Sequence, residues 1–81
     1  SRPEKHGNPE DSFATIADFW NVYLQAGGIP DPNIQPKDVA VMMMLLKIAR
    51  ITEGVYNEDN WIDLAGYAEN GARLTGFRDE E

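Results

Sequence analysis

The chain has 81 residues with 14 acidic and 7 basic side chains, a net charge of -7, no cysteine and one histidine. This charge argues against a non-specific grip on DNA or RNA phosphates, and the composition excludes a disulfide or a metal cluster of Cys and His. The longest apolar run, VAVMMMLL, is too short to cross a bilayer, so a soluble, cytoplasmic protein is expected. Because one core of this size supplies little net stability, we expect oligomerisation to add buried area.

The first predicted helix covers residues 9–26. It follows Asn8, a favoured N-cap, and opens with Pro9, which suits the first helical position. Gly27 and Gly28 predict its end, since glycine readily adopts the left-handed conformation found after a helix. The apolar residues that recur at helical spacing here are Phe13, Ile16, Ala17, Trp20 and Leu24. The pattern predicts an amphipathic helix that packs by this face.

The second predicted helix covers residues 36–52 and follows a proline-rich loop, GGIPDPNIQP. Pro36 opens the helix and Gly54 follows its end. Residues 39–46 include no polar side chain, so the helix is apolar around its circumference, which is typical of a helix covered on every side. Two other helices of one short chain cannot cover it completely. We therefore expect a second subunit to cover a side that includes Met43 or Met44.

The third predicted helix covers residues 58–74, after the N-cap residue Asn57 and before Gly76. Its predicted apolar stripe consists of Trp61, Leu64, Ala65, Ala68 and Ala72. Gly66 inside a helix costs about 0.5 to 1 kcal/mol relative to alanine, so it should have a packing or ligand reason. The three segments predict an all-α protein, a small three-helix bundle completed by oligomerisation. We expect residues 1–81 to form one domain with a mobile N-terminal segment, 1–7, and a mobile acidic tail, 77–81.

Four charged residues flank the predicted turn between the second and third helices. Lys47 and Arg50 project from one side of the second helix, and Asp59 and Asp63 project from one side of the third. Two antiparallel helices joined by a short turn would bring the two pairs together. One interpretation is a structural clamp, in which Asp63, with or without Asp59, holds the guanidinium of Arg50 through paired hydrogen bonds.

The alternative interpretation is a binding site for a nucleotide or another phosphorylated small molecule. Lys47 and Arg50 would contact a phosphate, while Asp59 and Asp63 orient them or bind a Mg²⁺ ion that bridges to the same phosphate. Lys47 motivates this interpretation, since it interrupts an apolar helix and a buried ammonium needs a partner. Tyr67, one turn beyond Asp63, would stack on a base or bond to a sugar. Three N-terminal side chains would close over the ligand: Arg2, Lys5 and His6.

Three segments occur in order along most of the chain: RPEKHGNPEDSFATIADFW, DVAVMMMLLKIAR and DNWIDLAGY. They resemble a family of small phage and prophage proteins of unknown function, whose pattern includes N-F-x-x-I-A-x-x-W, D-V-A with K-x-A-R, and D-x-x-x-D-x-A-G-Y. The family usually has tyrosine where this chain has His6, so a role that needs a phenol there is in doubt. The resemblance implies a phage-encoded, all-helical protein in the host cytoplasm, and it implies no reaction.

A weaker likeness is to the MazG-like nucleotide pyrophosphohydrolases, all-helical enzymes that hold Mg²⁺ with carboxylates from two helices. Asp59 and Asp63 on a helix after a short turn carry this likeness. Those enzymes use Glu-Glu-x-x-Glu on one helix and Glu-x-x-Asp on the next, whereas the second helix here has only Asp38, near its start. We therefore expect binding rather than catalysis, without a resident cofactor. The third alternative is a protein that binds and inhibits a host protein.

Overall fold

The computed structural model describes residues 9–54 and 56–76, and these residues form three helices and no strand. Helix α1 is Pro9–Ala26, α2 is Pro36–Thr52 and α3 is Glu58–Thr75. The predicted helices 9–26, 36–52 and 58–74 are confirmed, as is the all-α class, and α3 is one residue longer than predicted. The predictions for Asn8, for residues 1–7 and for the tail 77–81 lie outside the described residues.

The end of α1 is closed by two backbone hydrogen bonds around a glycine. The N–H of Ile29 donates to the carbonyl of Leu24, and the N–H of Gly28 donates to the carbonyl of Gln25, both at 3.0 Å. Gly28 has a φ angle of 106°, a left-handed conformation that is strained for a residue with a Cβ. The predicted helix end is therefore confirmed, and the chain turns here toward α2.

The starts of α2 and α3 both depend on polar side chains. Asp38 Oδ2 accepts a hydrogen bond of 2.9 Å from the N–H of Gln35, and its Oδ1 lies 3.2 Å from the ammonium of Lys37. The hydrogen bond from Gln35, and then Lys37, hold the pKa of Asp38 below its ordinary value of 3.8. At the start of α3, Asn57 Oδ1 accepts a hydrogen bond of 2.9 Å from the N–H of Asp59. Local signals in the sequence thus fix where both helices begin.

Helices α2 and α3 form an antiparallel hairpin. Lys47 contacts Asp63, and these residues lie eight positions before and after position 55. Arg50 contacts Asn60, and these lie five positions before and after the same point. Residues equally far from the turn therefore face each other, as antiparallel helices require. This register determines which side chains meet in the candidate site.

The core lies where the three helices meet, and among the described residues it has four buried apolar side chains: Phe13, Ala17, Val39 and Ala40. Six partly buried side chains pack around them: Ile16, Trp20, Ile34, Met43, Tyr67 and Leu74. The predicted inward face of α1 is confirmed. The side of α2 that includes Met43 or Met44 is predicted to lie in a subunit interface. Met43 packs on the core of its own chain, and the interface itself stays a prediction.

The inward face of α3 differs from the predicted stripe. Trp61 is 62% exposed and Ala65 also faces solvent, whereas Asn60 is 2% exposed. Tyr67 and Leu74 provide apolar contacts to the core instead. The prediction failed because alanines indicate direction only weakly, while the hydrogen bond between Asn60 and α2 orients the helix.

The glycine that matters for packing is Gly71. A Cβ at Gly71 would lie 3.4 Å from the Cβ of Ala40, so the two helices approach closely at this point. A Cβ at Gly66 would have nothing within 4 Å. The packing reason predicted for Gly66 is therefore wrong, and the ligand reason stays a prediction.

The loop between α1 and α2 is tied down by Asn21. Its Nδ2 donates to the carbonyl of Ile34 at 3.0 Å, and its Oδ1 accepts from the N–H of Ile34 at 2.7 Å. Both backbone groups of Ile34 are thereby paired, and its side chain packs on the core. This contact between residues far apart in the sequence was not predicted.

Helix α2 is covered on only one side by the rest of the described chain. Val41, Leu45 and Ile48 remain exposed on the outward side. The expectation that α2 is covered on every side is thus not met by one chain alone. Within the described residues, no helix is long and apolar enough to cross a membrane.

Candidate functional site

The ion pair between α2 and α3 joins Lys47 and Asp63. Lys47 Nζ lies 3.1 Å from Asp63 Oδ2, and the lysine side chain is only 17% exposed while the aspartate is 44% exposed. The prediction that a largely buried ammonium on α2 needs a partner is confirmed. Because Asp63 balances the charge of Lys47, this pair serves first to join the two helices.

Arg50 has a different partner from the predicted one. Its Nε donates a hydrogen bond of 3.0 Å to Oδ1 of Asn60, a buried residue near the start of α3. The clamp interpretation paired Arg50 with Asp63, and this pairing is wrong. Arg50 lies one helical turn closer to the loop between α2 and α3 than Lys47 does. In the antiparallel register it therefore meets Asn60, which lies about one helical turn closer to that loop than Asp63. Pairing residues that lie equally far before and after position 55 would have identified Asn60 as the partner of Arg50 from the sequence.

The other two described candidates lie away from this contact. Asp59 is exposed, and its N–H donates to the Asn57 side chain that caps α3. The ring of Tyr67 lies 6.1 Å from that of Phe13, centroid to centroid, at an interplanar angle of 38°. Tyr67 therefore packs in the core, and the predicted stacking of this ring on a base does not fit its position. Three candidates lie outside the described residues: Arg2, Lys5 and His6.

We define the candidate site as Lys47, Arg50, Asn60 and Asp63. Its two cationic side chains have different kinds of partner. Lys47 faces a carboxylate, whereas the Nε of Arg50 faces a neutral amide oxygen. Arg50 is half-buried, so solvent still reaches it, and its hydrogen bond to Asn60 holds the Nε side of the guanidinium. A guanidinium has five N–H donors, and the bond to Asn60 uses the one on Nε. The arrangement is suited to holding an anion with the two Nη groups.

Among residues 9–54 and 56–76, no group of three or more His, Asp or Glu side chains could hold a metal ion. Three cavities lined by described residues lie away from the candidate site. One of about 260 Å³ is lined by Trp20, Tyr23, Leu24, Ile34 and Met42, and it is apolar. This cavity lies between α1 and α2 and was not predicted.

Comparison with known proteins identifies the family. Residues 1–75 match the model of a domain of unknown function, DUF6378. The Gene 55 protein of Mycobacterium phage L5 is 42% identical over 67 residues, which cover 83% of this chain and 40% of that protein. The Gene 55 protein of Mycobacterium phage D29 is 37% identical over the same shares of both chains. The chain thus spans 40% of the length of these relatives.

No solved structure matches the chain. The resemblance to phage proteins of unknown function is confirmed by the family model and by both relatives, while the likeness to MazG-like enzymes stays a prediction. The chain is similar to these two mycobacteriophage proteins, and it belongs to the DUF6378 family, whose function is unknown.

Proposed function

We propose that the hairpin of α2 and α3 binds the phosphate group of a nucleotide or another phosphorylated small molecule in the cytoplasm of the host cell. The observation that carries the proposal is the pairing of Arg50 with a neutral amide. A guanidinium held by a carboxylate has its charge balanced, whereas Arg50 keeps its positive charge while Asn60 fixes its orientation. Bidentate binding of a phosphate oxygen pair by the Nη groups is the chemistry that such a guanidinium favours.

The remaining residues have supporting roles in this proposal. Lys47 and Asp63 hold α2 and α3 together at a position one helical turn farther from the interhelical loop than Arg50. They therefore position Arg50 and are not the main phosphate contacts. Asp59 is exposed near the start of α3, where it can meet a Mg²⁺ ion that arrives with a nucleotide. The proposal retains two basic residues that precede α1 as further contacts: Arg2 and His6.

Thermal unfolding with inorganic phosphate, pyrophosphate and a panel of nucleotides tests this proposal. A ligand present at about 100 times its Kd stabilises the folded protein by about 2.7 kcal/mol, so the correct ligand should raise Tm clearly. Arg50→Gln should abolish the rise. Arg73→Gln is the matched control, because Arg73 is also a helical arginine but pairs with Glu69 on α3 at 3.3 Å, away from the site.

Asn60→Asp is the sharper variant. It keeps the size and the acceptor oxygen of Asn60, so Arg50 should stay in place, but it adds a negative charge that balances the guanidinium. The protein should remain folded by circular dichroism and lose its response to the ligand. The proposal is contradicted if no ligand raises Tm, or if the response persists in both Asn60→Asp and Arg50→Gln.

A second candidate function is binding to a host protein, and the exposed aromatic residues of α1 favour it. Phe19 is 68% exposed and Tyr23 is 77% exposed, and Tyr23 also borders the apolar cavity beside α2. Aromatic side chains are enriched in protein interfaces and dominate their binding energy. A complex captured from a mycobacterial lysate should be lost with Phe19→Asp and kept with Asp18→Asn. A complex that survives Phe19→Asp would count against α1 as the contact.

A further inference from the structure

The outward side of α2 exposes an unusual number of large apolar side chains. Five of them are between 41% and 57% exposed: Val41, Met42, Leu45, Leu46 and Ile48. Leu45 lies at the middle of this side and is the most exposed of the five, at 57%. On a helix the positions 41, 45, 48 and 52 form one continuous stripe, so these side chains make a single surface. We call this surface, residues 41–49 on the outward side, the α2 face.

The α2 face is a contiguous apolar surface that continues into grooves on both sides. Soluble monomers rarely expose contiguous apolar patches larger than a few hundred Å². Apolar cavities extend the face on both sides, one that includes Met42 toward α1 and one that includes Val41 and Met44 toward α3. The part of the core within the described residues has only four buried apolar side chains, so covering this face would add substantially to the buried area.

Charge indicates which molecule covers the face. The chain carries a net charge of -7, which disfavours self-association over most of its surface. Between positions 39 and 49, however, the one charged residue is Lys47, and it points inward to Asp63. The α2 face is therefore an uncharged strip on an acidic protein. A basic partner would prefer other surfaces, whereas a second copy avoids charge repulsion here.

We propose that two copies of this chain associate through their α2 faces, with the two α2 helices antiparallel and Leu45 at the twofold axis. Val41 and Ile48 pack beside Leu45, and Ala49 allows close approach of the second helix. The face lies on the opposite side of α2 from Lys47 and Arg50, so the dimer leaves the candidate anion site open. This proposal is independent of the proposed ligand.

The first test is the mass of the chain by light scattering over a range of concentrations. We expect twice 9.1 kDa for the natural chain and 9.1 kDa for Leu45→Glu, which places two carboxylates face to face at the axis. Val22→Glu is the matched control, since Val22 is 65% exposed on α1, and this variant should keep the double mass. The proposal is overturned if the natural chain stays at 9.1 kDa, because the α2 face would then be covered by something other than a second copy, such as a host protein or another segment.

The second test does not depend on how Leu45→Glu folds. The chain has no cysteine, so Leu45→Cys introduces a single thiol at the proposed axis. Two thiols at the axis of an antiparallel helix pair lie within the range for a disulfide, and mild oxidation should give a covalent dimer in high yield. Gln25→Cys on α1 should give little. Equal yields from the two variants would overturn the antiparallel arrangement.

Discussion

Replacing Asn60 with alanine removes the contact that orients both Arg50 and the start of α3. Asn60 is 2% exposed, and its Oδ1 accepts a hydrogen bond of 3.0 Å from a charged donor. A hydrogen bond to a charged group contributes about 1.5–3 kcal/mol. Alanine favours the helix by up to about 0.7 kcal/mol relative to asparagine, which offsets part of the loss. We expect Asn60→Ala to lower the free energy of unfolding by about 2 kcal/mol, a large part of the stability of so small a domain.

Urea unfolding followed by circular dichroism measures this change. Asn70→Ala is the matched control, because Asn70 is a half-buried asparagine on the same helix and gains the same helix propensity. It should differ from the natural chain by less than about 0.7 kcal/mol. A double-mutant cycle of Asn60→Ala with Arg50→Gln should give a coupling of about 1.5 kcal/mol or more. Equal losses at Asn60 and Asn70, with coupling below about 0.5 kcal/mol, would refute the reasoning.

Three further predictions concern the fold. Gly66→Ala should stabilise the chain by about 0.5–1 kcal/mol, since a Cβ there meets open space, and a Tm that falls would contradict this. Asn21→Ala should destabilise it by about 1–3 kcal/mol in urea unfolding, because both backbone groups of Ile34 lose their partner; an unchanged midpoint would show that the loop does not depend on Asn21. The hydrogen bond from Gln35 lowers the pKa of Asp38 in the folded state, so the ionised carboxylate stabilises the fold above its ordinary pKa of 3.8. The stability difference between the natural chain and Asp38→Asn should therefore be present at neutral pH and vanish as pH falls through the lowered pKa, and a difference that is constant with pH would contradict it.

Much of the fold could be predicted because its signals are local. Pro36 and Asn57 mark helix starts, and Gly28 and Gly76 adopt the left-handed conformation that ends a helix. These residues act through neighbours a few positions away, so the sequence contains the full signal. The helix boundaries were accordingly predicted to within one residue.

The candidate site was predicted only in part because its contacts depend on helix register. The four charged residues were expected to meet across the hairpin, and Lys47 does meet Asp63. The partner of Arg50 was missed because carboxylates were considered and a neutral Asn60 was not. The direction of α3 was missed for the same reason, since a buried amide has no apolar pattern to reveal it.

Nuclear magnetic resonance of the arginine side chains tests the anion site most directly. The Nε–H of Arg50 is held by Asn60, so it should give a distinct signal, and the Nε–H of Arg73 provides an internal reference. On titration with phosphate, pyrophosphate and nucleotides, we expect the Arg50 signal to move with saturation while that of Arg73 stays in place. If both signals stay in place with every ligand, or move equally and without saturation, Arg50 is a structural residue and the proposed anion site does not exist.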